Sequence, residues 1–356
     1  MTAATSAASD DRPEAAPAKR VLMIVSSARK IDLADGTSHE TGYFADEALI
    51  PYERFAAEGV TVTIATPDGL APHADPYGLE EIFHFPDSEE DFLASITRTF
   101  MPDAEDIRLT LHQLTQLGLA GSRRVHEALL EHGVGSQAAR KQIAQAARIA
   151  WSEDRELGDV LVATGLAAPL GEAQIREAID SLTRDSKAAS ARVADRLSAV
   201  PGLREPVSLA ELGAEQIRAF DAVFAPGGHG PMVDMADNPD VGRVLQGMHE
   251  NGAVIAALCH GQASLLSAPA RSDGQWLFDG YRLTAFTDEE EEQTEIGRLG
   301  PPWYLESALK NAGAVFDDAG AAWTSHVVID RNLITGQNPQ SADAVADAIL
   351  KRLEVL

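Results

Sequence analysis

From Arg20 onward the chain alternates short, unbroken apolar runs with longer stretches of helical apolar spacing. RVLMIVSS is apolar without alternation, the pattern of a strand buried on both faces of a parallel sheet. After a polar loop, YFADEALIPYERFAAEG has the 3.6-residue spacing of an amphipathic helix and closes on Gly59. VTVTIATPDG then reads as a second strand with its turn, so the chain opens as β-loop-α-β, the start of a doubly wound, mostly parallel sheet. The same pattern resumes late: FDAVFAPGGHG, AVIAALCHG, YRLTAFTDEEE and HVVIDRNLITGQNP carry further strands, and ADAVADAILKRLEVL an amphipathic helix.

Between these halves, from about Glu80 to Leu212, β-branched runs nearly vanish. DIRLTLHQLTQLG, SRRVHEALLEHG and EAQIREAIDSLTRDSKAASARVADRLSAV predict glycine-punctuated helices, and ELGDVLVATGLAAPLGEAQIREAI a helical hairpin. The expected organisation is a disordered tail over 1–19, an α/β domain over 20–83 and 205–356, and a large helical insertion or cap over 84–204.

Composition narrows the function classes. A hydrophobic fraction of 45% with 24% charged residues is that of a soluble globular protein. A net charge of −26 argues against nucleic acid and anionic membranes as partners. A single cysteine excludes an intramolecular disulfide framework and cysteine-cluster metal sites, and fits a reducing cytoplasm. With no apolar core of a signal peptide and no run of about 18 apolar residues, a soluble cytoplasmic protein is expected.

That cysteine, Cys259, carries the candidate chemistry. The run Ala253 to Leu258 leads straight into Cys259-His260-Gly261, followed by helix-compatible QASLLS. A nucleophile on a sharp turn between strand and helix is exposed at the carboxyl end of a sheet, where the helix N-terminus favours a thiolate. Pro226-Gly227-Gly228-His229-Gly230 follows another strand, and its glycines can aim N–H groups into a site. The Gly228 and His260 amides are the expected oxyanion donors.

The ordered set DEALIPYERFAAEG, FAPGGHGPM, AALCHG, LTAFTDEEE and LITGQNPQSA resembles the PfpI superfamily. Within its class I glutamine amidotransferase-like, flavodoxin-like fold, the chain is most similar to the heat-shock chaperone and glyoxalase III branch. The resemblance covers roughly 20–80 and 205–356 and leaves the helical insertion unexplained. It implies Cys259 as nucleophile, His260 as its neighbouring base and Glu291, within the acidic run 289–292, as third triad member. It implies Glu47 as the glutamate that hydrogen-bonds the thiol; beside a thiolate, such a carboxyl has a raised pKa.

Departures restrict the reading. Gln262 replaces the usual proline after Cys-His-Gly, and His326 is followed by Val327 and Val328 rather than the His-x-Glu pair of a glutaminase. Positions matching two ligands of a metal site in some relatives are Ala56 and Thr61, so neither metal nor cofactor is expected. His73, His84, His112, His126 and His132 are expected to be surface or packing histidines, and Asp75-Pro76 a structural turn. The resemblance implies a cofactor-independent glyoxalase III-like lyase of the D-lactate dehydratase type, converting methylglyoxal or glyoxal to a 2-hydroxy acid. The alternatives are a holdase chaperone acting on damaged protein and a thiol hydrolase (a peptidase, amidase or deglycase) on another carbonyl. A homodimer is implied only by the resemblance.

Overall fold

In a computed structural model of the chain, residues 18–79 and 118–355 are described. Residues 1–17 of the tail expected over 1–19 and most of the DIRLTLHQLTQLG helix lie outside the described residues, as do His84 and His112. The seven-stranded sheet contains β1 (Arg20–Ile24), β4 (Thr61–Thr66), β5 (Val207–Ser208), β6 (Ala222–Ala225), β7 (Val254–Leu258), β10 (Val327–Asp330) and β11 (Leu333–Gly336). Its order is β10-β11-β7-β6-β1-β4-β5; the β10–β11 pair is antiparallel and the others are parallel. Two small ribbons, β2 (Lys30–Asp32) with β3 (Ser38–Glu40) and β8 (Arg282–Leu283) with β9 (Val315–Phe316), lie outside it.

The unbroken apolar runs are explained by two cores, one on each face of the sheet. Successive strand side chains point to opposite faces. Leu22, Ile24, Val223, Ala225, Ile255 and Ala257 therefore enter one core, while Val21, Met23, Ala222, Phe224, Val254 and Ala256 enter the other. Helix α6 (Pro239–Glu250) covers the first face through Val241, Val244, Leu245 and Met248. Helices α1 (Ala45–Ala57) and α7 (Ala342–Arg352) cover the second through Leu49, Phe55, Val345 and Ile349. Arg54 of α1 pairs with Asp343 and Asp347 of α7, fastening the two side by side.

The helical segment builds a third core. Helices α2 (Ser122–Glu131), α3 (Ser136–Glu153), α4 (Leu157–Thr164) and the first half of α5 (Glu172–Ser198) bury Val125, Leu129, Ile143, Ala147, Leu161 and Ile175 against one another. Helix α5 then runs on to the α/β layers, where Val193 and Leu197 join the core beneath α1. Arg196 holds Glu53 of α1 through Nε and Oε1 at 2.9 Å. No helix among the described residues is long and apolar enough to cross a membrane.

Phe224 is fully buried in β6 and meets the ring of Phe55 edge-on at 6.3 Å. Phe224→Ala is expected to cost about 3–5 kcal/mol in urea unfolding, the range for emptying a packed aromatic site. A loss under about 1 kcal/mol would mean that this face of the sheet is not close-packed.

Candidate active site

Strands β6 and β7 are parallel neighbours, so the segments leaving their carboxyl ends emerge side by side. The end of β6 delivers Pro226 to Gly230, and the end of β7 delivers Cys259. Cys259 has φ +62°, a left-handed conformation that a residue other than glycine rarely adopts. Its carbonyl accepts the Phe286 N–H at 3.2 Å, tying the elbow to the next segment of the site.

The glycine pair is dictated by crowding and conformation. A Cβ at Gly227 would stand 2.7 Å from Glu47 Oε2 and 2.8 Å from the Cys259 Cβ, inside contact distance. Gly228 has φ +86°, and a Cβ there would meet the Gly42 carbonyl oxygen and the Phe44 nitrogen at 2.5 Å. The loop is pinned to the start of α1: Phe44 N–H donates to the Gly227 carbonyl at 2.9 Å, and Gly230 N–H to that of Gly42 at 3.0 Å. This pinning carries Glu47, on the first turn of α1, under the elbow.

All four residues expected to act converge. Cys259 Sγ lies 3.3 Å from His260 Nδ1, and His260 Nε2 lies 2.6 Å from Glu291 Oε2. Glu47 Oε2 accepts the Gly227 N–H at 2.8 Å, and its carboxyl also bonds the Cys259 thiol. Glu47 Oε1 has no nitrogen or oxygen partner among the described residues. The Gly228 N–H is directed at the sulfur of Cys259. All of these side chains are buried, Cys259 to 3% exposure.

Burial sets their protonation. It pushes the Glu47 carboxyl up to about 8, against the bonds from Gly227 and Cys259. It also pushes the Cys259 thiol well above its usual range, and the Glu47 carboxyl beside it adds to the effect. The thiolate expected at rest is therefore corrected to a thiol. The segment after the elbow, Cys259–Ser267, winds as successive 3-10 turns rather than an α-helix, and the favourable Gly228 N–H does not offset the loss of water. Burial and the neighbouring His229 hold His260 down at about 4, so this imidazole is neutral. Burial opposes the charge of Glu291, but His229 and His260 outweigh it and hold the carboxyl well below the usual range. Glu291 can then only accept, so the proton of neutral His260 sits on Nε2 and Nδ1 is free to accept the thiol proton.

Three further features went unassigned in the sequence. His229 donates through Nε2 to the second oxygen of Glu291 at 2.8 Å. Glu290, next to Glu291, accepts bonds from Thr287 N–H, Trp323 N–H, Gln337 Nε2 and Asn338 Nδ2. With Thr287 Oγ1 accepting the Glu290 N–H at 3.0 Å, this is a capping box on the short helix Asp288–Glu291. It turns Glu290 inward as a tether and leaves Glu291 facing His260. The expected strand YRLTAFTDEEE is thus only Arg282–Leu283, its acidic end forming the capped turn from Thr287 to Glu291. Gln262 donates through Nε2 to the Thr284 and Gly336 carbonyls at 2.9 and 2.7 Å. It joins strand ends, where a proline would supply no donor.

Ligand atoms of His229, His260 and Glu291 lie within 4.8 Å of one another, close enough to share a cation. Both carboxylate oxygens of Glu291 are already taken by ring N–H donors, so the geometry is that of a hydrogen-bonded acid between two imidazoles. His126 is buried beside Ser136 and His132 bonds the Ala128 carbonyl, while Asp75 accepts the Thr41 hydroxyl and lies near enough to His229 to favour its charge.

A carboxyl raised from 4.5 in the unfolded chain to about 8 in the fold contributes stability that is complete below about pH 4.5 and lost as pH rises through about 8. Glu47→Gln removes this titration. Urea unfolding of the variant should show a flatter stability profile than the parent between about pH 5 and 9, the difference being largest at the alkaline end. Parallel profiles would place the Glu47 proton elsewhere.

The sequence profile described as DJ-1/PfpI family matches residues 207–352. Over 138 residues the chain is 28% identical to "Glyoxalase 3" of Candida albicans, covering 38% of this chain and 58% of that protein. Over 149 residues it is 35% identical to "Protein/nucleic acid deglycase HchA" of Escherichia coli, covering 40% of this chain and 50% of the other. The matched region thus spans only 50–58% of the length of these curated relatives. The solved glyoxalase III of Candida albicans shares the fold at a TM-score of 0.53 and 18% identity, over 94% of this chain and 96% of that one. The rapid encystment protein of Francisella tularensis does so at 0.54 and 20% identity, over 94% and 99%. Residues 207–352 thus match the DJ-1/PfpI family model, and the mostly parallel sheet with its flanking helices is the fold of these solved structures.

Proposed function

We propose that the chain is a thiol-dependent enzyme of small reactive dicarbonyls, converting methylglyoxal or glyoxal to the 2-hydroxy acid. The observation that carries this reading is Cys259 at φ +62°, buried to 3% exposure, with a neutral imidazole at 3.3 Å and the Glu47 carboxyl bonded to the same sulfur. A thiol so enclosed suits a small carbonyl better than an extended polypeptide. The glyoxalase 3 and deglycase names of the relatives support the same class of chemistry.

The reaction follows from the proton inventory. His260 Nδ1 takes the thiol proton as sulfur bonds to the aldehyde carbon, and the proton passes to the new oxygen to give a hemithioacetal. The Gly228 amide, already directed at the sulfur, and that of His260 hold the developing oxyanion. His260 removes the hydrogen from the former aldehyde carbon, giving an enediol, and Glu47 delivers a proton to the adjacent carbon. One carbon is thereby oxidised to a thioester and its neighbour reduced to an alcohol. Proton exchange through the added oxygens restores Glu47, and water hydrolyses the thioester to release the 2-hydroxy acid and the thiol. The sum is dicarbonyl plus water, with no external oxidant. Because Glu47 titrates at about 8, it holds its proton at neutral pH and can return it within the cycle.

The test is lactate formation from methylglyoxal by the purified chain, resolved by chirality. Cys259→Ala is expected to abolish it, and Glu47→Gln to lower kcat by about 10²–10⁴-fold, the usual share of a positioned acid-base group. Turnover surviving in Cys259→Ala would overturn the reading. Release of amine from a glycated peptide without lactate from the free aldehyde would move the assignment to a deglycase.

A further inference from the structure

Glu291 serves two imidazoles. His260 donates to Oε2 at 2.6 Å and His229 to Oε1 at 2.8 Å, and the Thr294 hydroxyl lies 3.0 Å from Oε1. The two rings are 4.1 Å apart, centroid to centroid, and the other face of His260 lies against Phe286 at 4.5 Å. All three ionisable groups are buried. One carboxylate can compensate one imidazolium; a second positive ring at 4.1 Å would be both repelled and desolvated. The array must therefore choose which histidine is charged.

We propose that His229 is a positioning residue that carries the positive charge of this array, so that His260 remains the neutral Nε2–H tautomer whose Nδ1 faces Cys259. The surroundings decide the choice. His229 is approached by Asp75 as well as Glu291, so two carboxyl groups favour its cation. Burial works against that charge, yet Glu291 and Asp75 raise His229 above its ordinary value. His260 is faced by the thiol of Cys259 and by the ring of His229, and is lowered by burial and by His229. Glu47 is engaged with the Gly227 N–H and the Cys259 thiol, and Glu290 is turned into its own bonds with Thr287, Trp323, Gln337 and Asn338. A triad of Cys259, His260 and Glu291 alone would place an unopposed carboxylate on His260 and draw the proton to it, leaving no acceptor for the thiol. His229 absorbs that charge without touching the substrate.

The inference deepens the proposed thiol chemistry and rests on it for its purpose, but its test is separate. Nitrogen-15 histidine spectra of the full chain at pH 7, assigned with His229→Gln and His260→Gln, should show His229 doubly protonated and His260 neutral with its proton on Nε2. His229→Gln keeps an N–H donor for Glu291 and deletes the charge, so His260 should titrate about one pH unit or more higher than in the parent. The acid limb of methylglyoxal turnover should move up with it. A neutral His229 or a charged His260 in the parent spectrum overturns the inference, as does an unmoved His260 titration in the variant. Should His229→Gln fail to fold, the parent spectrum decides alone. Should the chain turn over no dicarbonyl, the spectra still decide the charge placement, and only the proposed reaction falls.

Discussion

Burial of ionisable groups at the carboxyl ends of β6 and β7 is the constraint on which the site depends. A buried charge is tolerated only when paired and hydrogen-bonded; otherwise the group neutralises. Both outcomes occur within a few ångström here. Cys259 and Glu47 meet burial by holding their protons, whereas Glu291 meets it by accepting from two imidazoles. The glycine loop has the same origin, since Gly227 admits the Glu47 carboxyl and Gly228 admits the chain that carries it.

The strained elbow is held from several sides. Phe286 bonds the Cys259 carbonyl, and its ring lies between His260 and Trp323, at 4.5 and 5.4 Å. Glu290 gathers the Trp323 loop, the Gln337-Asn338 turn and the cap of Asp288–Glu291 onto one carboxyl group. A left-handed non-glycine residue costs about 1–3 kcal/mol, and such over-determination is what allows it to persist.

Much of this was legible in the chain, for reasons that separate by distance. The unbroken runs RVLMI, AVFA and VIAAL follow from burial on two faces, so they were readable without contacts. Cys259 was readable because a strand ends on it. Glu47 and Glu291 needed the family resemblance, since a glutamate on a helix face and one within an acidic run carry no local mark. The box Thr287-x-x-Glu290 was the exception, for it fixes which acid caps the turn and leaves the next one free. His229 carries no such mark, because its glycine-rich loop reads as a source of backbone donors and its partner lies 62 residues further on. The protonated state of Cys259 is not legible in the chain, because burial depth is not written in local sequence.

The long helix α5 belongs to two cores at once: Ile175 near its start is packed among the helices of the insertion, while Val193 and Leu197 near its end are packed beneath α1. A continuous helix transmits axial and rotational displacement along its length, and this one ends against the element that supplies Glu47. The insertion is therefore mechanically in series with the acid of the site.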